Sequence, residues 1–208
     1  MTKPPPDGVL KPALWTDRTV EDTMAVYSAW AATYDEELRA RGYHTPQRIA
    51  ADLARHLGGD PRPVLDFGCG TGVSGMALHA QGIGPLHGTD IVAEMLDQAR
   101  PLDVYDRLWV SDPGILDVTP GTYQAIVAAG VISLGAAPPE TMDLVVSALA
   151  PGDLLAMSFN DPSLAHGGYD ARLAAHVGTG ALHLVHRSHG PHLDDVGMGS
   201  DVILLRRR

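Results

Sequence analysis

Three observations predict an α/β fold with a mostly parallel sheet covered by helices on both faces. From Val64 onward, short apolar runs alternate with helical patterns, the arrangement of strand–helix–strand units. The first run, Val64-Leu65-Asp66-Phe67, passes through Gly68-Cys69-Gly70-Thr71-Gly72 into Val73-Ser74-Gly75-Met76-Ala77-Leu78, which describes a strand, a tight turn and a helix whose N-terminus faces a ligand. With 208 residues, 45% hydrophobic and 19% charged, the chain can bury one sizeable core, so a single domain is expected over residues 1–208.

Each element follows from local pattern. Residues 1–16 are proline-rich and are expected to be loosely ordered; residues 17–60 are expected to form N-terminal helices, and 61–208 the core. Thr19-Val20-Glu21-Asp22 reads as a helix start, a hydroxyl cap followed by acids. Val20, Met24, Tyr27, Ala31, Tyr34 and Leu38 recur at spacings of three and four, with Trp30 beside them, which predicts one amphipathic helix ending at Gly42. Thr45-Pro46 opens a second helix, with the hydroxyl as cap, proline at its first position and Gly58-Gly59 as its stop.

Further strands are predicted at Pro85 to Thr89, Arg107 to Val110, Gln124 to Ala129 and Asp153 to Phe159, and helices at Val92 to Ala99 and Pro139 to Leu149. Tyr169 to Val177 reads as a helix. Strands at Ala181 to Arg187 and Ser200 to Arg206 have no crossover helix between them, so they are expected to pair antiparallel through Gly190-Pro191 and Gly197-Met198-Gly199. Ligands in such sheets sit beyond the carboxyl ends of the strands, which gathers Asp66, Asp90, Asp112, Gly130 and Asn160 around one crevice.

Composition narrows the partners. A formal net charge of -10 opposes a phosphate-tracking surface and hence a nucleic-acid substrate; Arg206-Arg207-Arg208 is too short to reverse that. One cysteine, Cys69, rules out an intramolecular disulfide and suits a reducing compartment. The start, Lys3 then Pro4-Pro5-Pro6-Asp7-Gly8, has no apolar core for a signal peptide, and the uncharged run from Thr119 to Pro139 is broken by Pro120, Gly121, Gly130 and Gly135. A cytoplasmic protein without membrane contact is expected.

Gly70-x-Gly72-x-x-Gly75, with Asp90 about 20 residues on, also fits the dinucleotide fingerprint. Asp66 argues against it, because a carboxylate at the tip of the first strand repels a pyrophosphate. An acid there favours a phosphate-free, cationic ligand. Asp66-Phe67-Gly68-Cys69-Gly70-Thr71-Gly72 resembles motif I of the class I S-adenosylmethionine-dependent methyltransferases, and Gly88-Thr89-Asp90-Ile91-Val92-Ala93-Glu94-Met95-Leu96 resembles the segment that follows their second strand.

That resemblance implies a Rossmann-like, doubly wound sheet of seven strands whose antiparallel last strand lies beside the fifth. It also implies S-adenosyl-L-methionine as cofactor. Asp66, Gly68, Cys69, Gly70 and Gly72 would surround its methionine end, with turn amides directed at the carboxylate. Asp90 would bind ribose, Ile91 and Met95 would flank the adenine, Asp112 would accept from the adenine amino group, and Ala129 and Gly130 would leave room near the transferred methyl.

Tyr27-Ser28-Ala29-Trp30-Ala31-Ala32-Thr33-Tyr34-Asp35 resembles the aromatic segment before the core of many small-molecule methyltransferases of this class. Aromatic faces attract a sulfonium and keep water out, so this helical segment is expected to act as a lid, with Tyr34 on the cofactor and Tyr27 and Trp30 toward the substrate. Asn160 and Tyr169 complete the expected substrate side. Gly130-Val131-Ile132, Pro138-Pro139-Glu140, Ser158-Phe159-Asn160-Asp161-Pro162-Ser163 and Ser200-Asp201-Val202 together resemble the Williams-Beuren syndrome region methyltransferase-like group, from which the chain departs after Tyr169, where that group's tryptophan-containing segment is missing.

His183, His186, His189 and His192 recur every third residue, but that spacing alternates faces in a strand, so no metal site is expected. One of them, or His44 or His166, could serve as a general base if it reached the crevice. The expected activity is methyl transfer to a small molecule. Two other classes fit parts of the pattern: an NAD-linked oxidoreductase, which Asp66 opposes, and a regulator that binds S-adenosylmethionine without turning it over.

Overall fold

A computed structural model describes residues 12–208, so most of the proline-rich run expected to be loose lies outside the described residues; Pro12–Trp15 forms a 3-10 turn. A sheet of seven strands has the order β3-β2-β1-β4-β5-β7-β6. The strands are β1 (Val64–Phe67), β2 (Leu86–Asp90), β3 (Arg107–Val110), β4 (Ala125–Ala128), β5 (Leu154–Asn160), β6 (Leu182–Leu193) and β7 (Met198–Arg207). β1 to β5 run parallel, and β7 is antiparallel to both neighbours, β5 and β6. The Rossmann-like architecture and the inserted antiparallel last strand are therefore as expected.

Helices α1 (Val20–Trp30), α2 (Tyr34–Ala40), α3 (Thr45–Ala54), α4 (Val73–Ala80), α5 (Ala93–Ala99), α6 (Thr141–Ser147), α7 (Asp161–His166) and α8 (Gly168–Gly178) cover the sheet. The central strands are buried on both faces, which is why they read as unbroken apolar runs. Alternate residues divide between two layers. Leu65, Ile126, Leu155, Phe159 and Ile203 pack against Met142 and Val145 of α6 and Leu173 of α8. Val64, Val127, Ala156 and Leu204 pack against Ile49 and Leu53 of α3 and Leu78 of α4.

Four local expectations are corrected. The N-terminal helix is broken in two: Thr33 N closes a tighter turn on Trp30 O (3.0 Å), in place of the helical i to i−4 bond, and the Thr33 hydroxyl donates to Glu37 (2.8 Å) across the first turn of α2. Thr19 does cap α1, accepting from Asp22 N at 3.1 Å. Thr45 is no cap; it is the first residue of α3, and its hydroxyl pairs with His192 Nδ1 and Ser200 Oγ, both at 2.8 Å, because the hairpin packs over the helix start.

Gly190-Pro191 lies within β6 instead of in the hairpin connection, which is Asp194 to Gly197; as an edge strand, β6 tolerates a proline there. Finally, Asn160-Asp161-Pro162, which reads in the sequence as the end of the fifth strand, also opens α7, with Asn160 as cap accepting from Ser163 N at 3.1 Å and proline in the first turn. Among the described residues no helix is long and apolar enough to cross a membrane.

Leu155, the second residue of β5, has no exposed surface and packs in the layer under α6 and α8. Truncation to alanine is expected to lower stability by about 2 to 5 kcal/mol, measured as a shift in urea midpoint with unchanged slope. A loss well under 1 kcal/mol would contradict this packing.

Candidate functional site

The turn after β1 is shaped by Gly68, Gly70 and Gly72, at φ 67°, 54° and 92°. A side chain on Gly68 would bring its Cβ within 2.5 Å of Val131, so only glycine admits both the backbone geometry and the close approach. The amides of Gly68 and Cys69 donate to Thr89 O at 2.8 and 3.0 Å, and Gly70 N donates to Asp90 Oδ2 at 2.9 Å. Instead of pointing into open space, as expected for a carboxylate nest, they fasten the turn to the end of β2. Asp90 Oδ1 accepts from Val92 N at 2.9 Å, which also sets the entry to α5.

Asp66 stands where β1 alternation turns its side chain toward α4, beneath the turn. It has no exposed surface; Oδ2 accepts from Ser74 Oγ and Tyr105 OH, each at 2.7 Å, while Oδ1 has no partner among the described residues. Burial pushes its carboxyl up from 3.8 to about 6, helped by the charge of Asp90 and opposed by the two hydroxyl donors. Burial likewise raises Asp90, against the pull of its backbone donors.

A cavity of about 170 Å³ opens at the carboxyl ends of β1, β2, β3 and β4. Gly68, Gly70, Asp90, Ile91, Met95, Asp112, Ala129, Gly130, Tyr27 and Tyr34 all line it, so most of the residues singled out in the sequence are brought together. Among the described residues two carboxylates and no lysine or arginine line this cavity, a polarity that fits S-adenosylmethionine, with its ammonium and sulfonium, and not a pyrophosphate. Sequence reasoning missed Ser111, Ile115, Thr141 and Leu144; Ser111 follows the end of β3, a signal that was available.

A smaller cavity adjoins the first, sharing Tyr27, Tyr34 and Gly130 with it, and is lined also by Trp30, Asn160 and His192. The rings of Trp30 and Tyr34 meet edge to face at 4.5 Å, and Tyr27 lies 5.9 Å from Trp30. Burial pushes the Tyr27 hydroxyl up to about 12, so it stays protonated. The aromatic pile is tied to the glycine turn by the Thr71 hydroxyl, which donates to Asp35 at 2.6 Å.

Other expected site residues lie apart from both cavities. Asp66 is beneath the turn. Cys69 is buried, its thiol pushed well up by desolvation, and Gly72 serves as the cap position of α4. Tyr169 packs on Phe159 and donates to Ala137 O at 3.2 Å, because the first turn of α8 faces the core. Of the histidine series, His183, His186 and His189 meet Arg208, Asp52 and Asp201 outside the site. Neither His44 nor His166 lines either of these cavities; His44 pairs with Asp194, and His166 packs on Tyr169.

The sequence matches the methyltransferase-domain family over residues 39–193, and the chain belongs to that family. The resemblance to the class I S-adenosylmethionine-dependent methyltransferases seen at Asp66 to Gly72 therefore holds. Human methyltransferase-like protein 27 is 37% identical over 117 residues, 54% of this chain and 47% of that protein. Ribosomal protein L11 methyltransferase of Methylococcus capsulatus is 33% identical over 109 residues, 49% of this chain and 36% of that protein. The chain thus spans less than half the length of these curated relatives.

Among solved structures, magnesium protoporphyrin IX methyltransferase from Synechocystis PCC 6803, with bound SAM, superposes with a TM-score of 0.65 at 17% identity, covering 93% of this chain and 100% of that one. The methyltransferase in complex with the Haloferax volcanii Trm112 activator superposes at 0.68 and 20% identity, covering 87% and 97%. At these identities the likeness is one of fold.

Asp66 makes stability depend on pH with a defined sign. Its native pKa is raised, so between about pH 4 and 6 the folded state holds a proton that the unfolded chain has released, and stability falls as pH rises through that window. Asp66→Asn is expected to remove the penalty, gaining on the native protein by roughly 3 kcal/mol between pH 4 and pH 7. Urea melts of both proteins across that range check it; parallel pH profiles would refute the raised pKa.

Proposed function

We propose that this methyltransferase moves a methyl group from S-adenosylmethionine to a small-molecule acceptor. The observation that carries this reading is the pair of joined cavities: one acidic and, among the described residues, free of basic side chains, the other narrow and walled by aromatic rings. Bound S-adenosylmethionine supplies an electrophilic methyl carbon on a sulfonium. The chain then has to align the acceptor and exclude water, with no covalent protein nucleophile.

In this reading Asp90 accepts the ribose hydroxyls through lone pairs left by its two amide donors, and Ile91 and Met95 flank the adenine. Asp112 takes the adenine amino group. Tyr27 and Tyr34, at the junction of the two cavities, shield the sulfonium and present ring faces to it. The names of the relatives include a ribosomal-protein methyltransferase and a porphyrin methyltransferase, so the acceptor class rests on the second cavity. Its small size and aromatic walls favour a small molecule over a protein or RNA, and a net charge of -10 points away from RNA. The single-domain organisation over 1–208 and a cytoplasmic setting belong to the same proposal.

Calorimetric titration with S-adenosylhomocysteine and with NAD tests the cofactor: binding of the first and none of the second is expected. Asp90→Ala should weaken S-adenosylhomocysteine binding by roughly 1 to 3 kcal/mol, the cost of leaving polar groups unpaired. An unchanged dissociation constant in a folded variant would reduce Asp90 to a structural clasp. Labelled cofactor incubated with a cell metabolite extract should pass label to a small product. Tight binding with no transfer would favour a regulator.

A further inference from the structure

His192 is aimed into the smaller cavity by an irregularity of the hairpin. Pro191 pairs with Gly199 and Leu193 with Met198, so two steps on β6 match one on β7 and His192 is the extra residue of a β-bulge. Bulges re-aim a side chain, and here the ring is buried while His189, earlier on the same strand, is mostly exposed. The bulge is secured by His44 N, which donates to His192 O at 3.1 Å.

Proton accounting then sets the tautomer. Arg48 Nη1, which can only donate, reaches Ser200 Oγ at 3.0 Å; Ser200 Oγ and Thr45 Oγ are 2.8 Å apart, as are Thr45 Oγ and His192 Nδ1. Both hydroxyls are fully buried. If Ser200 donates to Thr45 and Thr45 to His192 Nδ1, every hydroxyl proton has an acceptor. In the reverse order the Ser200 proton has none among the described residues. Nδ1 is thus an acceptor, and burial holds the ring near a pKa of about 4, so it is neutral at physiological pH and its one proton sits on Nε2. A protonated Nε2 is a hydrogen-bond donor to the cavity and not a general base.

Asn160 is oriented the same way. Its Oδ1 accepts from both the amide and the hydroxyl of Ser163, at 3.1 and 2.6 Å, which leaves its NH2 group as the free polar face. Asn160 stands opposite Ser200 in the sheet register, beside the relay. Trp30 adds a buried indole N–H without an acceptor among the described residues. Among the described residues no acid, lysine or arginine lines this cavity; its tyrosine hydroxyls can donate or accept, so the N–H groups of His192, Asn160 and Trp30 leave an unmet demand for an acceptor between aromatic walls.

We propose that the smaller cavity is the methyl-acceptor subsite, and that it takes a planar aromatic molecule through a carboxylate or carbonyl oxygen received by His192 Nε2–H and the Asn160 amide. The term acceptor rests on the methyl-transfer reading; the binding chemistry does not. Benzoate and acetophenone serve as probes, with benzylammonium as the reversed polarity, on the full chain saturated with S-adenosylhomocysteine. Long-range proton–nitrogen correlation on histidine-labelled protein, with the His192 signals assigned by their loss in His192→Phe, should show the Nε2–H tautomer. Thr45→Val should release that preference.

Benzoate or acetophenone should shift the Nε2–H signal. Binding should weaken about tenfold or more in His192→Phe and in Asn160→Asp, which keeps the cap oxygen, and should largely survive in His192→Gln, whose amide restores a donor. S-adenosylhomocysteine affinity should be unchanged in all of these. An Nδ1–H tautomer, failure of both oxygen probes to bind, equal binding to His192→Phe, or preference for benzylammonium would each overturn the proposal. Loss of S-adenosylhomocysteine binding by the native chain would instead sink the cofactor reading, and leaves the tautomer and probe results standing on their own.

Discussion

One carboxylate holds two backbones in register: Asp90 accepts from Gly70 N and from Val92 N, each at 2.9 Å, at the end of β2. These bonds clasp the glycine turn after β1 to the start of α5, and with them the floor and one wall of the larger cavity. Gly68 and Gly70 of the turn line that cavity, where a side chain would meet Val131 or Met95. Burial raises Asp90 and its backbone donors lower it, so the clasp and the ligand site share one charge.

The second organising contact crosses from the N-terminal helices. The Thr71 hydroxyl on Asp35 anchors α2 to the glycine turn, while Ala31 packs with Val92 and Met95 of the α5 region. Just past the break after Trp30, Asp35 reaches the turn and Tyr34 meets Trp30 edge to face. The aromatic segment therefore divides one crevice into two joined chambers, and the Tyr27 and Tyr34 rings are common to both.

Charge separates the chambers. Among the described residues the larger has Asp90 and Asp112 and no basic side chain, and the smaller has no charged side chain and a set of N–H donors. Behind the smaller one, Arg48 does not enter the cavity but acts through Ser200 and Thr45, so its positive charge biases the His192 ring without being exposed to a ligand. Asp66 plays the complementary part beneath the turn, a buried acid satisfied on one oxygen by Ser74 and Tyr105.

The order of strands and helices, the turn from Gly68 to Gly72 and the clustering of Asp90, Asp112 and Gly130 at strand ends were legible in the sequence, because they depend on local periodicity and on glycine's access to positive φ. Boundaries moved by a residue or two, as element ends do. What tertiary structure alone decided lies in contacts far apart in the chain. Asp66 and Tyr105 are 39 residues apart, Thr71 and Asp35 are 36, and Thr45 and His192 are 147. A histidine every third residue carries no sign of which one a bulge will turn inward. Thr45 before a proline reads as a helix cap until a hairpin from the other end of the chain takes its hydroxyl. Local pattern determines where strands, turns and helices form; which side chain meets which partner across the sheet is set by packing, and here that packing decides what the site offers a ligand.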